Sequence, residues 1–208
     1  MSEPAGPRSE RPPPAQFVAP SQLVGDDVLL RESVECPERF ATLFDRHAVA
    51  VHRYLARRVG NAADDLLAET FLIAFRRRST YRSQGVDPRA WLYGIATNVL
   101  RRQARQEERR YRMLARLATS TSDVMSSDDD AVERADAQAL RQQLAVALAR
   151  LKRGDRDVLL LTAWAGLSYA EIAAVLAIPV GTVRSRLNRA RRLTRESLSS
   201  AMINEELI

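Results

Sequence analysis

One cysteine, one lysine and two histidines are all that the 208 residues contain of those three types. Cys36 alone can form neither an intramolecular disulfide nor a multi-cysteine metal site, and that usage fits a reducing cytoplasm. His47 and His52 have no Cys, Asp or Glu at metal-ligand spacing on the same helix face. Metal chemistry and nucleophile–base chemistry therefore have no constellation to work with, and no cofactor is expected. Long apolar runs are also missing, so no membrane insertion is expected. Pro4, Pro7, Pro12, Pro13 and Pro14 stand where a signal peptide would need an apolar core.

Arginine is abundant instead. Of the 32 basic side chains only Lys152 is a lysine. A coding bias accounts for part of that excess, so its distribution is more informative than its total. Glu38 to Arg112 carries a net charge of +8 and Arg141 to Ser200 one of +7, with Met113 to Leu140 at −4 between them. Two basic blocks on an acidic spacer suit two surfaces that face a polyanion.

The most specific stretch is LSYAEIAAVLAIPVGTVRSRLNRARRLTR, from Leu167 to Arg195. Ser168 with Glu171 three residues later reads as a capping box that starts a helix. Ile172, Val175 and Leu176 continue it, and Pro179 with Gly181 ends it near Ala177 or Ile178. A second helix restarts at Thr182. Its stripe Val183, Leu187, Ala190 docks inward, leaving Ser185, Asn188, Arg189 and Arg192 outward with Thr182 and Arg184 flanking them. No carboxylate follows on that face until Glu196. Hydroxyls, an amide and guanidinium groups on one face can read base edges and grip phosphates, so this is a helix-turn-helix by spacing. A merely packed hairpin with a solvated basic face is the bland alternative, disfavoured by the capping box and the clean separation of faces.

The rest of the chain reads as helices with one spacer. Residues 1–36 are proline-rich and without helical periodicity, and most of them are expected to be disordered; Val28, Leu29 and Leu30 form an apolar cluster with no assigned role. Phe40 to Gly60 follows a helical stripe containing His47, and Ala63 to Arg77 forms a second helix whose first turns collect Asp64, Asp65 and Glu69. Favourable placement of acid at a helix start would suffice to explain those carboxylates. A polar turn holding Gly85 and Pro88 precedes a helix with Trp91, Leu92, Ile95, Ala96, Val99 and Leu100 on its apolar side. Its end is strongly basic, with Arg101, Arg102, Arg105 and Arg109. Rings interleaved with arginine suit single-stranded nucleic acid. Trp91 and Tyr93 suit a core equally well, and for Trp91 the core is favoured.

Three phrases, DLLAETFLIAFRR, RAWLYGIATNVLRR and GLSYAEIAAVLAIPVGTVRSRLNRAR, occur in that order and at those distances. Together they resemble a bacterial extracytoplasmic-function (ECF) sigma factor of the sigma-70 family, over about Phe40 to Leu198 without the linker. The resemblance implies an all-α fold of two small helical domains, sigma-2 and sigma-4, joined by a flexible acidic linker. The implied boundaries are an extension at 1–36, sigma-2 at 37–112, a linker at 113–137, sigma-4 at 138–200 and a tail at 201–208. Such a protein binds core RNA polymerase, through its beta and beta-prime subunits, and promoter DNA; it is cytoplasmic and not itself an enzyme. An anti-sigma factor is a further implied partner.

The resemblance also assigns residues. Asp65, Leu66, Glu69, Thr70 and Phe71 match the helix that binds core polymerase. Tyr81, Arg82 and Asn98 match the part that captures the non-template strand of the −10 element, with Arg101 and Arg102 on the backbone. Gly181, Thr182, Arg184, Ser185, Asn188, Arg189 and Arg192 fall on the helix that reads the −35 element. The linker is implied to thread near the polymerase active centre, where acid mimics nucleic acid. Ala177 departs from the family's frequent glycine at the turn. Alanine enters the left-handed region only at a cost of roughly 1 kcal/mol, which favours a slightly shifted turn.

Two other functions are weighed against this. A stand-alone helix-turn-helix regulator would need a dimer or effector domain, where this chain has a polymerase-docking phrase and a strand-capture phrase. A nucleic-acid enzyme would need a metal cluster or an activated nucleophile, which the two scattered histidines and one cysteine do not form.

Overall fold

Every regular element in the computed structural model is helical, across the described residues 24–82, 86–118 and 129–205. In order these are α1 (Asp26–Glu32), α2 (Arg39–Val59), α3 (Ala63–Arg77), α4 (Pro88–Arg102), α5 (Ala104–Ala118), α6 (Asp129–Arg150), α7 (Arg153–Ala163), α8 (Tyr169–Leu176) and α9 (Val180–Glu205). Helices α1–α4 pack as a first bundle and α6–α9 as a second, and α5 pairs with α6 between them.

Aromatic and aliphatic residues at helical spacing build the first bundle. Phe40 of α2 meets Phe75 of α3 edge-on at 5.3 Å, and Phe44 meets Phe71 at 4.8 Å. Tyr54 of α2 and Tyr93 of α4 make a third edge-on pair at 5.3 Å. Asp87 caps α4, its Oδ1 accepting the Arg89 amide at 2.7 Å, and Pro88 occupies the first turn, where its missing N–H costs nothing.

In the second bundle the Glu171 amide donates to Ser168 Oγ at 3.3 Å and the Ser168 amide donates to Glu171 Oε2 at 2.7 Å, completing the capping box. Val183, Leu187 and Ala190 of α9 are all buried, together with Ile172 of α8 and Val158 and Leu161 of α7. The turn between α8 and α9 is not shifted. Ala177 itself takes the left-handed conformation, with φ 52° and ψ 50°. Its amide donates to the Ala174 carbonyl and that of Ile178 to the Ala173 carbonyl, the pairing that closes a Schellman turn. These backbone bonds and Pro179 hold the conformation that alanine resists.

One expectation is corrected. Order begins before Phe40: α1 docks on α2 and α4, burying Leu29 and Leu30 completely. Asp26 accepts from Arg46 and pairs with His47 Nε2, both at 2.6 Å. The remainder of the proline-rich extension, residues 1–23, lies outside the described residues. Around the linker, helix reaches further in than the expected bounds of 113–137: α5 runs on to Ala118 and α6 starts at Asp129. From Ala104 to Arg153 the chain has no glycine or proline to stop a helix. The described part of α5 is amphipathic, burying Glu107 and Tyr111. Residues 119–128 and the tail residues 206–208 lie outside the description.

Candidate nucleic-acid interface

Burial on one side of α9 decides what the other side can offer. Gly181, Arg184, Ser185, Asn188, Arg189 and Arg192 are exposed, and Thr182 is half-buried. Arg189 is not loose: Nε and Nη2 donate to the two carboxylate oxygens of Asp155 at 2.8 and 2.7 Å. Those bonds raise its pKa above the usual guanidinium value and tie α9 to the first turn of α7. Arg192 pairs with Glu196 one turn along at 2.8 Å. Arg184 and Asn188 lie on the same outward face, whose position follows from the buried stripe alone.

The second candidate surface lies where α4 begins and ends. The single Tyr81 hydroxyl proton is shared between two acceptors, Asp27 Oδ1 at 2.9 Å and the Val86 carbonyl, while the ring lies 5.2 Å from Trp91. Arg82 is exposed and donates to the carbonyls of Ser79 and Tyr81 at 3.0 and 3.1 Å. Residues 83–85 of the intervening loop lie outside the description. Thr80, Tyr81, Arg82, Val86 and Trp91 line a cavity of about 230 Å³ whose far wall is Ala174 and Val175 of α8. Asn98 is exposed one helical turn from Arg101, whose Nη1 donates to its Oδ1 at 3.4 Å. Arg101 Nε donates to Asp157 Oδ2 at 3.0 Å, and Arg102 Nη1 to Glu69 Oε1 at 3.0 Å. Arg102, Arg105, Arg109 and Arg153 line an open cleft of about 530 Å³. Of these, Arg105 and Arg109 belong to the basic helix end that the sequence suggests for single-stranded nucleic acid, whereas Arg153 received no role from the sequence. Only folding shows that they share a cleft.

On α3 the structure divides the sequence-assigned group. Asp65 is exposed and Glu69 half-buried, whereas Leu66, Thr70 and Phe71 are buried. Thr70 Oγ1 donates to the Leu66 carbonyl at 2.6 Å, so it is satisfied inside the helix. Leu72, 47% exposed, lies on the outer face with Asp65 and Glu69 at helical spacing, and Phe44 at 40% exposure lies beside Phe71. Sequence reasoning passed over both. An apolar residue placed three after Glu69 and seven after Asp65 was the available signal.

Among the described residues no group of three or more His, Cys, Asp or Glu side chains is placed to hold a metal ion, and no helix is long and apolar enough to cross a membrane. The deepest charge cluster is structural. Arg58 is wholly buried, with Nε on Glu107 Oε1 at 2.6 Å, Nη1 on the Tyr54 hydroxyl at 2.5 Å and Nη2 on Asp157 Oδ1 at 2.7 Å. Burial opposes its charge, but Tyr54, Glu107 and Asp157 outweigh that and hold its pKa well above the usual value.

Residues 43–110 match the family model for sigma-70 region 2, and residues 141–193 that for sigma-70, region 4. The first covers α2 to α4 and part of α5; the second runs from within α6 into α9. The chain is 34% identical over 161 residues to the ECF RNA polymerase sigma factor SigL of Mycobacterium tuberculosis, covering 75% of this chain and 88% of that one. It is 34% identical over 163 residues to the RNA polymerase sigma factor CarQ of Myxococcus xanthus, covering 77% and 90%. The solved structure of CnrH in complex with the cytosolic domain of CnrY superposes with a TM-score of 0.60 at 25% identity, covering 84% of this chain and 97% of that one. With both bundles matched in order, the chain belongs to the ECF sigma factors of the sigma-70 family, which direct RNA polymerase to specific promoters.

Proposed function

We propose that the three surfaces divide the work of initiation. The outer face of α3, with Asp65, Glu69 and the exposed Leu72, docks on the beta and beta-prime subunits of core polymerase. The buried Leu66, Thr70 and Phe71 hold that face in place from within. The α4 surface captures the non-template strand of the −10 element. A base unstacked from the duplex fits the Tyr81–Trp91 cavity by its flat face, because the Tyr81 hydroxyl is already committed to Asp27. Asn98 and Arg82 supply polar contacts, and Arg101, Arg102, Arg105 and Arg109 supply phosphate contacts.

The N-terminal half of α9 reads the −35 element from the major groove through Thr182, Arg184, Ser185, Asn188 and Arg189, with Gly181 allowing close approach and Arg192 on the backbone. The observation that carries this part is the outward face of α9, cationic and free of carboxylate as far as Arg192, set against a buried stripe on the same helix. The protein acts as a non-catalytic subunit in the cytoplasm. CnrH was solved with a protein partner, which supports an anti-sigma factor as a partner of this chain too.

The test is a pull-down of purified bacterial core polymerase followed by run-off transcription. Wild type should bind, and a Glu69→Arg, Leu72→Ala variant should not. Both substitutions lie on the surface and spare the core. Arg184→Ala, on the same exposed face and without a buried partner to orphan, should retain core polymerase while losing −35 affinity worth about 1–3 kcal/mol, the range for one arginine–guanine contact. Absence of binding by wild type, with no anti-sigma factor present, would favour a stand-alone regulator.

A further inference from the structure

Helix α1 is anchored at both ends. At its start Asp26 takes Arg46 and His47, each at 2.6 Å, and Arg46 Nη1 also donates to the Val24 carbonyl at 2.8 Å. Leu29 and Leu30 are buried against the first bundle. Just past its end the Ser33 carbonyl accepts from Arg78 Nε at 2.9 Å, and the Arg78 guanidinium lies 3.9 Å from the centre of the Phe75 ring. An acceptor presented by a helix held in this way is a fixed point for whatever it bonds.

Asp27 is such an acceptor. Its Oδ1 takes the Tyr81 hydroxyl at 2.9 Å across 54 positions of chain, sharing the proton with the Val86 carbonyl on the return limb of the loop. A hydroxyl bonded to a carboxylate makes one of the stronger hydrogen bonds. The Tyr81 ring lines the cavity with Trp91, whereas Asp27 is not one of the lining residues. The backbone at Tyr81 has left the short helical turn Arg78–Thr80, with φ −59° and ψ 133°, so no helical turn holds the ring. Its hydroxyl does.

A base that leaves its stack gains most from a surface already in place. A ring ordered only at capture would take its ordering entropy out of the binding energy. Pinning the hydroxyl sets the ring beforehand, 5.2 Å from Trp91 and tilted by 56°. We propose that Asp27 is a positioning residue for strand capture: from outside the cavity it holds the Tyr81 ring in the plane on which an unstacked −10 base stacks. This rests on the reading of the cavity as part of the −10 surface. Asp27 touches no base, and its effect runs through the Tyr81 hydroxyl.

The test uses full-length protein in holoenzyme with core polymerase, on the promoter that wild type transcribes in run-off assays, with each −10 position carried through all four bases. Discrimination is read as the ratio of transcript between best and worst base, because a variant that is merely less stable loses output on every template alike. Tyr81→Leu removes the ring and identifies the position it serves. There Asp27→Ala should lower discrimination about two- to tenfold, the range of one hydrogen bond. Asp27→Asn keeps an acceptor oxygen and should restore most of it. In a Tyr81→Phe background, with the ring kept and no hydroxyl to hold, Asp27→Ala should add nothing. In the free protein the near-ultraviolet circular dichroism of the Tyr81–Trp91 pair should weaken in Asp27→Ala and not in Asp27→Asn, with the helical signal retained in both. A change of discrimination in Tyr81→Leu without one in Asp27→Ala would overturn the role of Asp27 and leave the −10 reading standing. An Asp27→Ala effect undiminished in Tyr81→Phe would also overturn it, as would no rescue by Asp27→Asn. No change in Tyr81→Leu at any −10 position would instead remove the −10 reading, and the near-ultraviolet result would still show whether Asp27 holds the ring.

Discussion

Replacing Ala177 by glycine should make this protein more stable, although the exchange deletes a methyl group. At φ 52° the alanine Cβ crowds its own backbone, which costs a non-glycine residue about 1–2 kcal/mol. Ala177 is exposed, so deleting the methyl opens no cavity. Opposing the gain, glycine adds freedom to the unfolded chain worth about 0.4–1 kcal/mol. The net is a stabilisation of about 0.5–1 kcal/mol, or a rise of about 1–4 °C in Tm for a chain of this size. Thermal unfolding followed by circular dichroism at neutral pH resolves that shift. Gly166→Ala is the mirror experiment, since φ is 64° there and nothing lies within 4 Å of the added Cβ. Any loss is then purely conformational. A lower Tm for Ala177→Gly, or no change in either variant, would show that the turn relaxes and that the strain argument fails.

The other predictions use the same kind of measurement. Ser168→Ala removes the hydroxyl from the capping box and should cost about 1 kcal/mol, with Ser168→Asp retaining most of it; equal losses in both would deny the cap its role. Leu29→Ala empties a fully buried site and should cost about 2–5 kcal/mol in denaturant unfolding, whereas an unchanged midpoint would mean that α1 does not dock. Asp26 gives a pH test. Its burial raises the pKa, but hydrogen bonds and charge from Arg46 and His47 outweigh that, leaving it below the ordinary 3.8. Its contribution is therefore present above that value and lost as pH falls through the lower folded one. Wild type should lose α1 docking on acidification below about pH 4, seen as faster hydrogen exchange in residues 26–32, and Asp26→Asn should lack that step.

Legibility in the sequence followed the range of the interactions. The capping box and the stripe of Val183, Leu187 and Ala190 each close within one or two turns, so spacing alone located them. The order within DLLAETF was legible, but its sidedness was not. Leu66, Thr70 and Phe71 belong to a stripe that faces inward, and the exposed Leu72 beside them is the apolar side chain in reach of a partner. Docking of α1 depends on Asp26 meeting Arg46 and His47, some twenty residues on, and the local proline-rich composition carried no trace of it. The acidic stretch was read from its charge, while the absence of glycine and proline that lets α5 and α6 form went unused. Arg58 and Asp157 lie 99 positions apart. Nothing short of folding brings them together.

That last pair bears on how freely such chains can be recombined. A chimera joining the first bundle of this protein to the second bundle of another sigma factor inherits Arg58, and packing its bundles as they pack here then needs a carboxylate at the position of Asp157. Without one, that packing would bury a guanidinium that lacks one of its two carboxylate partners, at a cost of about 3–5 kcal/mol. A graft of α9 alone would leave the match between Arg58 and α7 untouched, but it would have to keep an arginine at the position of Arg189 to meet the buried Asp155.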